Sequence, residues 1–492
     1  MTETDKKKRG MPSSFTILLA LLAIVAVITV IVSGTSGGAV TAARLSDFCT
    51  APILGFADAL PVCLFVMILG GFLGMMTETG ALDNGIAVLV QKLKGNEIML
   101  VPVLMLIFSL GGTTYGMCEE TVPFYALLAA TMMAAGFDPM VGAATVLLGA
   151  GCGCLGSTVN PFAVGAAVDA LTGVGIEVNQ SIIIGLGAVL WIVTTAMSIV
   201  FVMNYAKKVK ADKGSTILSM QELKDAEEAH GKAASEVHKE VKLTGRQKGV
   251  LIAFAFTFVV MIVGFIPLAD LNEGVANFFD AGAVYDADGN AVVQGWSALI
   301  TGLPIGQWYF DEASTWFFLM AVLIGIIGGL SEKQIVNTFI TGAADMMSVV
   351  LVIALARGIS VLMANTGLDV FVLDAAANAL AGLSGVIFAP MSFLVYFGLS
   401  FLIPSTSGMA TVSMPIMGPL AVKLGFSPEV MVMIFSAAIG VVNLFTPTSG
   451  AIMGGLALAK IEWTTWLKFA LKLIVALSVV CAVILTVACV LL

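Results

Sequence analysis

The 492-residue chain is 59% hydrophobic and 11% charged, with a mean hydropathy of +1.03 and a formal net charge of −9. No soluble domain of this size needs so much apolar surface, so the composition excludes one and points to an all-α polytopic membrane protein with the lipid bilayer as its solvent. The seven cysteines (Cys49, Cys63, Cys118, Cys152, Cys154, Cys481, Cys489) fall mostly in apolar segments and read as small buried residues, not as disulfides or metal ligands.

Lys6, Lys7, Lys8 and Arg9 place residues 1–14 in the cytoplasm by the positive-inside rule. The apolar run Phe15–Ser33 can span, and no small-residue cleavage site closes it, so it reads as a first membrane helix. Gly34–Thr50 reads as an external loop, Leu60–Met76 as a returning span and Glu78–Lys94 as an interfacial stretch. From Gly95 to Ala206 there is no lysine or arginine. Inside that region Ile98–Ala135 is interrupted at Gly111–Pro123, which leaves two arms too short to span and predicts a re-entrant hairpin on the cytoplasmic side. Met140–Ala170 is a span broken at Gly156-Ser157-Thr158-Val159-Asn160-Pro161, and Ile182–Met203 returns to the cytoplasm. Lys207–Lys248 mixes bases and acids and reads as a solvated linker, helical around Met220–Lys239. Val250–Pro267 is a further span, and Ala269–Trp316, acidic and free of lysine and arginine, is an external loop.

The second half repeats the first. Met76-Thr77-Glu78-Thr79-Gly80-Ala81-Leu82-Asp83 matches Met363-Ala364-Asn365-Thr366-Gly367-Leu368-Asp369. Gly116-Met117 with Pro123 matches Gly408-Met409 with Pro415, and Gly136-Phe137-Asp138-Pro139 matches Gly425-Phe426-Ser427-Pro428. The break Ser157–Phe162 has its counterpart in Asn443–Gly450. The charge bias makes the helix ending at Glu78 run inward and the helix ending at Asn365 run outward, so the repeats are expected to be inverted, as in secondary transporters. The expected divisions are the cytoplasmic N-terminus 1–14, inverted repeat 1 over 15–205, the linker 206–248, an extra helix and external loop 249–314, and inverted repeat 2 over 315–492, with the C-terminus outside.

Four polar breaks should converge. The candidate substrate residues are Thr113, Thr114, Tyr115, Glu119 and Glu120 from the first, and Ser157, Thr158 and Asn160 from the second. Ser405, Thr406 and Ser407 come from the third, and Asn443, Thr446, Thr448 and Ser449 from the fourth. Half-helix N-termini suit a carboxylate, and unwound carbonyls and hydroxyls suit a cation; Ser157, Asn160 and Asn443 are the candidate oxygens for sodium. A single serine or threonine is better explained as close helix packing, but four repeat-related breaks are not. Arg357, deep in a predicted span, reads either as an internal ion pair with Glu119, Glu120 or Asp345 or as a clamp for a substrate carboxylate. Glu119 and Glu120 could bind a cationic substrate group, carry a proton or help bind sodium, or neutralise Arg357; being adjacent, they point about 100° apart on a helix and should not share one role. The second repeat carries Thr411 and Val412 instead, so the acid lies on one side only.

The motifs Tyr115–Pro123, Ser157–Phe162, Pro404–Gly408 and Thr446–Gly450 resemble the YfcC branch of the DcuC-type carriers, over nearly the whole chain. The resemblance implies two scaffold-plus-hairpin repeats, a homodimer in a bacterial inner membrane and elevator-type movement. It implies either a C4-dicarboxylate carrier or an arginine/ornithine antiporter. The two carboxylates favour a basic amino acid, exchanged as arginine for ornithine; the runner-up is a carboxylate carrier coupled to protons or sodium. A hydrolase is disfavoured because both histidines, His230 and His238, lie in the linker, and an ATP-driven pump because no Gly-x-x-x-x-Gly-Lys-Ser/Thr occurs. No enzyme activity, cofactor or nucleic-acid partner is expected.

Overall fold

The structure is a computed structural model that describes residues 14–492 except 83, 86, 87, 89–95, 237–241, 267, 272 and 287–290. The basic N-terminus, Asp83, Lys92, Lys94 and His238 therefore lie outside the described residues.

The first half runs α1 (Ser14–Ser33), α2 (Leu45–Asp58), α3 (Leu60–Glu78), α4 (Leu100–Tyr115), α5 (Val122–Ala134), α6 (Pro139–Leu155), α7 (Ala166–Thr172, after a π turn Pro161–Gly165) and α8 (Gln180–Ala211). The linker holds α9 (Met220–Glu236), followed by α10 (Gly245–Phe265). The second half runs α11 (Phe310–Gly328), α12 (Glu332–Asp345), α13 (Met347–Thr366), α14 (Leu368–Leu380), α15 (Gly385–Leu399), α16 (Thr406–Lys423), α17 (Pro428–Val442), α18 (Gly450–Leu458) and α19 (Trp463–Leu491). Among the described residues eight helices are long and apolar enough to cross a membrane: α1, α3, α4 with the short turn Glu97–Met99 ahead of it, α8, α10, α11, α13 and α19.

Three segments depart from the expectation. Residues 310–316, read as the end of an external loop, open α11. Residues 45–50, read as external loop, open α2, which packs along α13. The linker is not a solvated strand of charge: α9 lies on α5, with Ala226 and Glu222 buried. Four of its contacts hold it to the surrounding helices and turns. Thr216 donates to Asp138 Oδ2 (2.7 Å), Ile217 N to Tyr205 Oη (3.2 Å) and Glu462 N to Glu222 Oε1 (2.9 Å), while His230 Nε2 meets Leu458 O at 3.1 Å. Charge alternation hid this, because the buried face of α9 is short and partly polar.

The order of elements recurs, and the packing between halves is reciprocal. α1 packs on α13 as α11 packs on α3; α2 packs on α13 as α12 packs on α3; α7 packs on α16 as α18 packs on α5. α10 has no partner in this scheme and packs on α11. Matching caps recur too: Asp138 accepts from Val141 N at the start of α6, and Ser427 from Val430 N at the start of α17.

α6 and α17 are buried on nearly every face, and they cross each other at the centre. Glycine makes the crossing: a Cβ on Gly440 would fall on Leu155, and one on Gly151 on Leu444, a reciprocal pair. A second reciprocal pair closes the outer layer, where a Cβ on Gly358 would meet Ala51 O at 2.7 Å and one on Gly342 would fall on Gly70. Small residues at these crossings let backbones approach, the main source of helix association in lipid. The helices fall into two groups. α1–α3 and α10–α13 form one, with a phenylalanine cluster of Phe65, Phe72, Phe254, Phe258 and Phe317 at its centre. α4–α9 and α15–α19 form the other; α14 packs on both α13 and α16, and α13 also packs on α18 across the boundary.

Candidate functional site

Each break has a local cause. α4 stops at Gly116, whose φ of +81° is a left-handed conformation that glycine adopts without strain. Glu119–Thr121 then form one 3-10 turn before α5, where Pro123 supplies no N–H. α6 ends at Leu155, and Asn160 caps the next helical segment by accepting from Phe162 N (2.9 Å) and Ala163 N (3.3 Å). α15 ends at Leu399 and Ser405 caps α16 by accepting from Gly408 N at 3.1 Å. α17 ends at Val442, and Pro447 lies in the turn before α18.

All four breaks meet at one cavity of about 180 Å³. Of the sequence-derived candidates, Glu119, Glu120, Asn160, Arg357, Ser405, Thr406, Ser407, Asn443, Thr448 and Ser449 line it. Thr113, Thr114, Tyr115, Ser157, Thr158 and Thr446 do not. The first break is shorter than glycine content suggested, so Thr113–Tyr115 complete the last turn of α4. Thr113 Oγ1 donates to Gly156 O (2.6 Å), Thr158 Oγ1 donates to Thr113 O (3.0 Å), and Thr114 Oγ1 donates to Leu110 O (2.6 Å). Ser157 accepts from Asn160 Nδ2 at 2.9 Å, Thr446 bonds Thr448 at 2.7 Å, and Tyr115 is buried against Phe265. These residues hold the breaks in shape from behind the cavity wall.

The two glutamates, both in the cavity wall, sit differently. Glu120 is 1% exposed and its Oε2 accepts from Cys118 N at 3.0 Å, so it caps its own turn. Glu119 is half-buried at the cavity.

Arg357 is ion-paired, but with none of the acids expected. Its Nε lies 2.5 Å from Asp58 Oδ2, an ion-pair approach without hydrogen-bond alignment. Asp58 ends α2, and sequence reasoning overlooked it because the segment before it read as a loop. Its repeat mate is Asp345 at the end of α12, and Arg357 has Gly70 as its counterpart on α3, so the pair exists in one half only. Asp345 itself is exposed and does not line the cavity.

Ser436 was also missed. It lies in the apolar run of α17, lines the cavity, is 2% exposed, and its hydroxyl has no hydrogen-bond partner among the described residues. Such a group costs about 1–3 kcal/mol unless something satisfies it. The start of α18 differs from the other three helix starts, since Ser405 caps α16 as well. Asn160 and Glu120 occupy N–H groups at the first-half breaks, whereas Ser449 at the start of α18 makes no side-chain cap.

Broken helices buried among spanning ones, lined by polar groups around one central cavity, define a polytopic membrane transporter. The family model described as C4-dicarboxylate anaerobic carrier (DcuC) matches residues 41–490, and the chain belongs to that family, whose members are transporters. An uncharacterized protein of Haemophilus influenzae is 29% identical over 90% of this chain and 78% of its own length. YfcC of Escherichia coli, named provisionally as a basic amino acid antiporter, is 27% identical over 87% of this chain and 77% of its own. Among solved structures, the YdaH transporter of Alcanivorax borkumensis shows a TM-score of 0.48 at 15% identity, covering 96% of this chain and 97% of that one. MtrF of Neisseria gonorrhoeae, described with a class of antimetabolite efflux pumps, shows 0.43 at 16% identity, covering 98% and 96%. The protein is thus a multi-pass membrane transporter.

Proposed function

We propose that the protein is a basic amino acid antiporter of a bacterial inner membrane, exchanging arginine for ornithine. The observation that carries this is the charge balance of the cavity. Its wall and its immediate support hold three carboxyl groups (Glu119, Glu120, Asp58) and one guanidinium, and that guanidinium already faces Asp58. A dicarboxylate would meet an acid, and the one guanidinium in the wall is already neutralised through its Nε by Asp58. A basic amino acid finds Glu119 for its side-chain charge, and the starts of α16 and α18, with Ser405, Thr406, Ser407, Thr448, Ser449 and the unpartnered Ser436, for its carboxylate. The provisional name of YfcC supports the same class. Exchange of one monocation for another needs no coupling ion.

On this reading the two halves are inverted repeats with the N-terminus cytoplasmic and the C-terminus outside, the helix group α4–α9 with α15–α19 moves as an elevator against the other group, and the carrier is a homodimer. Reciprocal packing between the halves supports the first point, and the division of the helices into two groups supports the second. The second reading, a carboxylate carrier, draws on the family description and on the presence of Arg357. Uptake of labelled arginine and labelled succinate into proteoliposomes, with and without internal ornithine, separates the two. Arginine uptake that needs internal ornithine is expected, and succinate uptake without arginine uptake overturns the proposal.

A further inference from the structure

Arg357 is an expensive residue to keep inside a membrane protein if it only pairs with Asp58. It stands on α13, in one helix group, while Glu119 stands at the hairpin tip between α4 and α5, in the other. Both line the same cavity. Among the described residues Arg357 makes one ion pair, with Asp58, and Glu119 makes none. The boundary between the helix groups therefore runs between a carboxylate and a guanidinium.

We propose that Arg357 is the resident counter-cation of the empty carrier: without substrate, its guanidinium holds Glu119 across the group boundary, and the substrate's side-chain cation displaces it. Asp58 keeps the displaced guanidinium neutralised while Glu119 carries substrate. An empty carrier is then locked and a loaded one is free to move, which makes exchange obligatory without any contact between the two substrates. Only the first half supplies the acid and only the second supplies the base, so the lock is a single cross-group pair and not a repeat-related two. This inference rests on the basic-substrate reading given above.

The test uses the full-length protein in proteoliposomes. With R357M, labelled arginine uptake into vesicles without internal ornithine should rise at least about tenfold over wild type, since loss of a charge-assisted bond is worth that much, while arginine still raises the thermal stability of the purified carrier. R357K keeps a charge and should remain coupled. D58N leaves the guanidinium free for Glu119, so apparent arginine affinity should fall several-fold with exchange still obligatory. An R357M carrier that binds arginine yet still needs internal ornithine overturns the lock, as does unchanged affinity in D58N. A wild-type protein that binds succinate and not arginine overturns the parent reading, and with it this one. Loss of arginine binding in R357M alongside unaltered stability would make Arg357 a carboxylate clamp and sink the lock alone.

Discussion

Replacing Glu119 by Gln tests the assignment most directly, because the neighbouring acid provides an internal control. Glu119 faces the cavity, and Glu120 caps Cys118 N at 3.0 Å from a buried position. Gln at 119 keeps the shape and one acceptor oxygen but removes the charge. A hydrogen bond to a charged partner is worth about 1.5–3 kcal/mol net, so a loss of about 2 kcal/mol, or about 30-fold in Kd for arginine, is expected. Gln at 120 retains an oxygen for Cys118 N, so it should cost at most about 1 kcal/mol of stability and leave arginine affinity within about threefold. Citrulline, which is neutral and nearly isosteric with arginine, should bind weakly to wild type and no worse to E119Q. The assay is competition against labelled arginine on purified carrier, with a thermal scan of each variant. If E119Q keeps wild-type affinity, the cavity carboxylate does not hold the substrate cation, and if E120Q alone loses it, the two roles are reversed.

Three further outcomes follow from the geometry. G116A forces a side chain into a left-handed conformation, a cost of about 1–2 kcal/mol, and sets its Cβ 2.5 Å from Asn160 Oδ1, so both thermal stability and transport should fall. G440A puts a methyl on the Leu155 backbone at the α6–α17 crossing, where overpacking costs about 1–3 kcal/mol; a Tm equal to wild type would show that the crossing is looser than described. His230 offers a pH test. Burial, reinforced by Lys460 and opposed by the bond to Leu458 O, holds its pKa below the ordinary 6.5. The docked state therefore prefers neutral histidine. Docking of α9 should be at full strength above about pH 6.5 and weaken as the pH falls below it, toward the lowered value. Hydrogen exchange across residues 220–230 between pH 7.5 and 5 measures this, and H230Q should flatten the response.

The breaks were legible because their cause is local. Gly116 ends α4, Pro123 and Pro161 stand in the first turns of the segments that follow the breaks, Pro447 stands in the turn before α18, and matching caps at Asp138 and Ser427 start α6 and α17. How far each break extends was not local. Thr113–Tyr115 are glycine-flanked and polar, yet they stay helical because Gly112 and Gly153 let α4 press against α6, where Thr113 finds Gly156 O. Thr158 and Ser157 bond to protein and not to the cavity for the same reason.

By itself, the sequence determined a polytopic helical membrane protein, the places where its helices break, and Glu119, Glu120 and Arg357 as charges set in apolar stretches. Each follows from composition, from residues that cannot continue a helix, and from charges too costly to bury without purpose. Only the tertiary structure decided which side chains share the cavity and which charge answers which. Asp58 and Arg357 stand on helices far apart in sequence and meet because α2 and α13 cross through Gly55 and Gly358. Glu119 and Glu120 are adjacent in sequence and both in the cavity wall, yet one turn of backbone leaves the first half-buried there and ties the second to Cys118 N. Spacing along the chain cannot encode either outcome, because both depend on how close two backbones come and on which way one turn points.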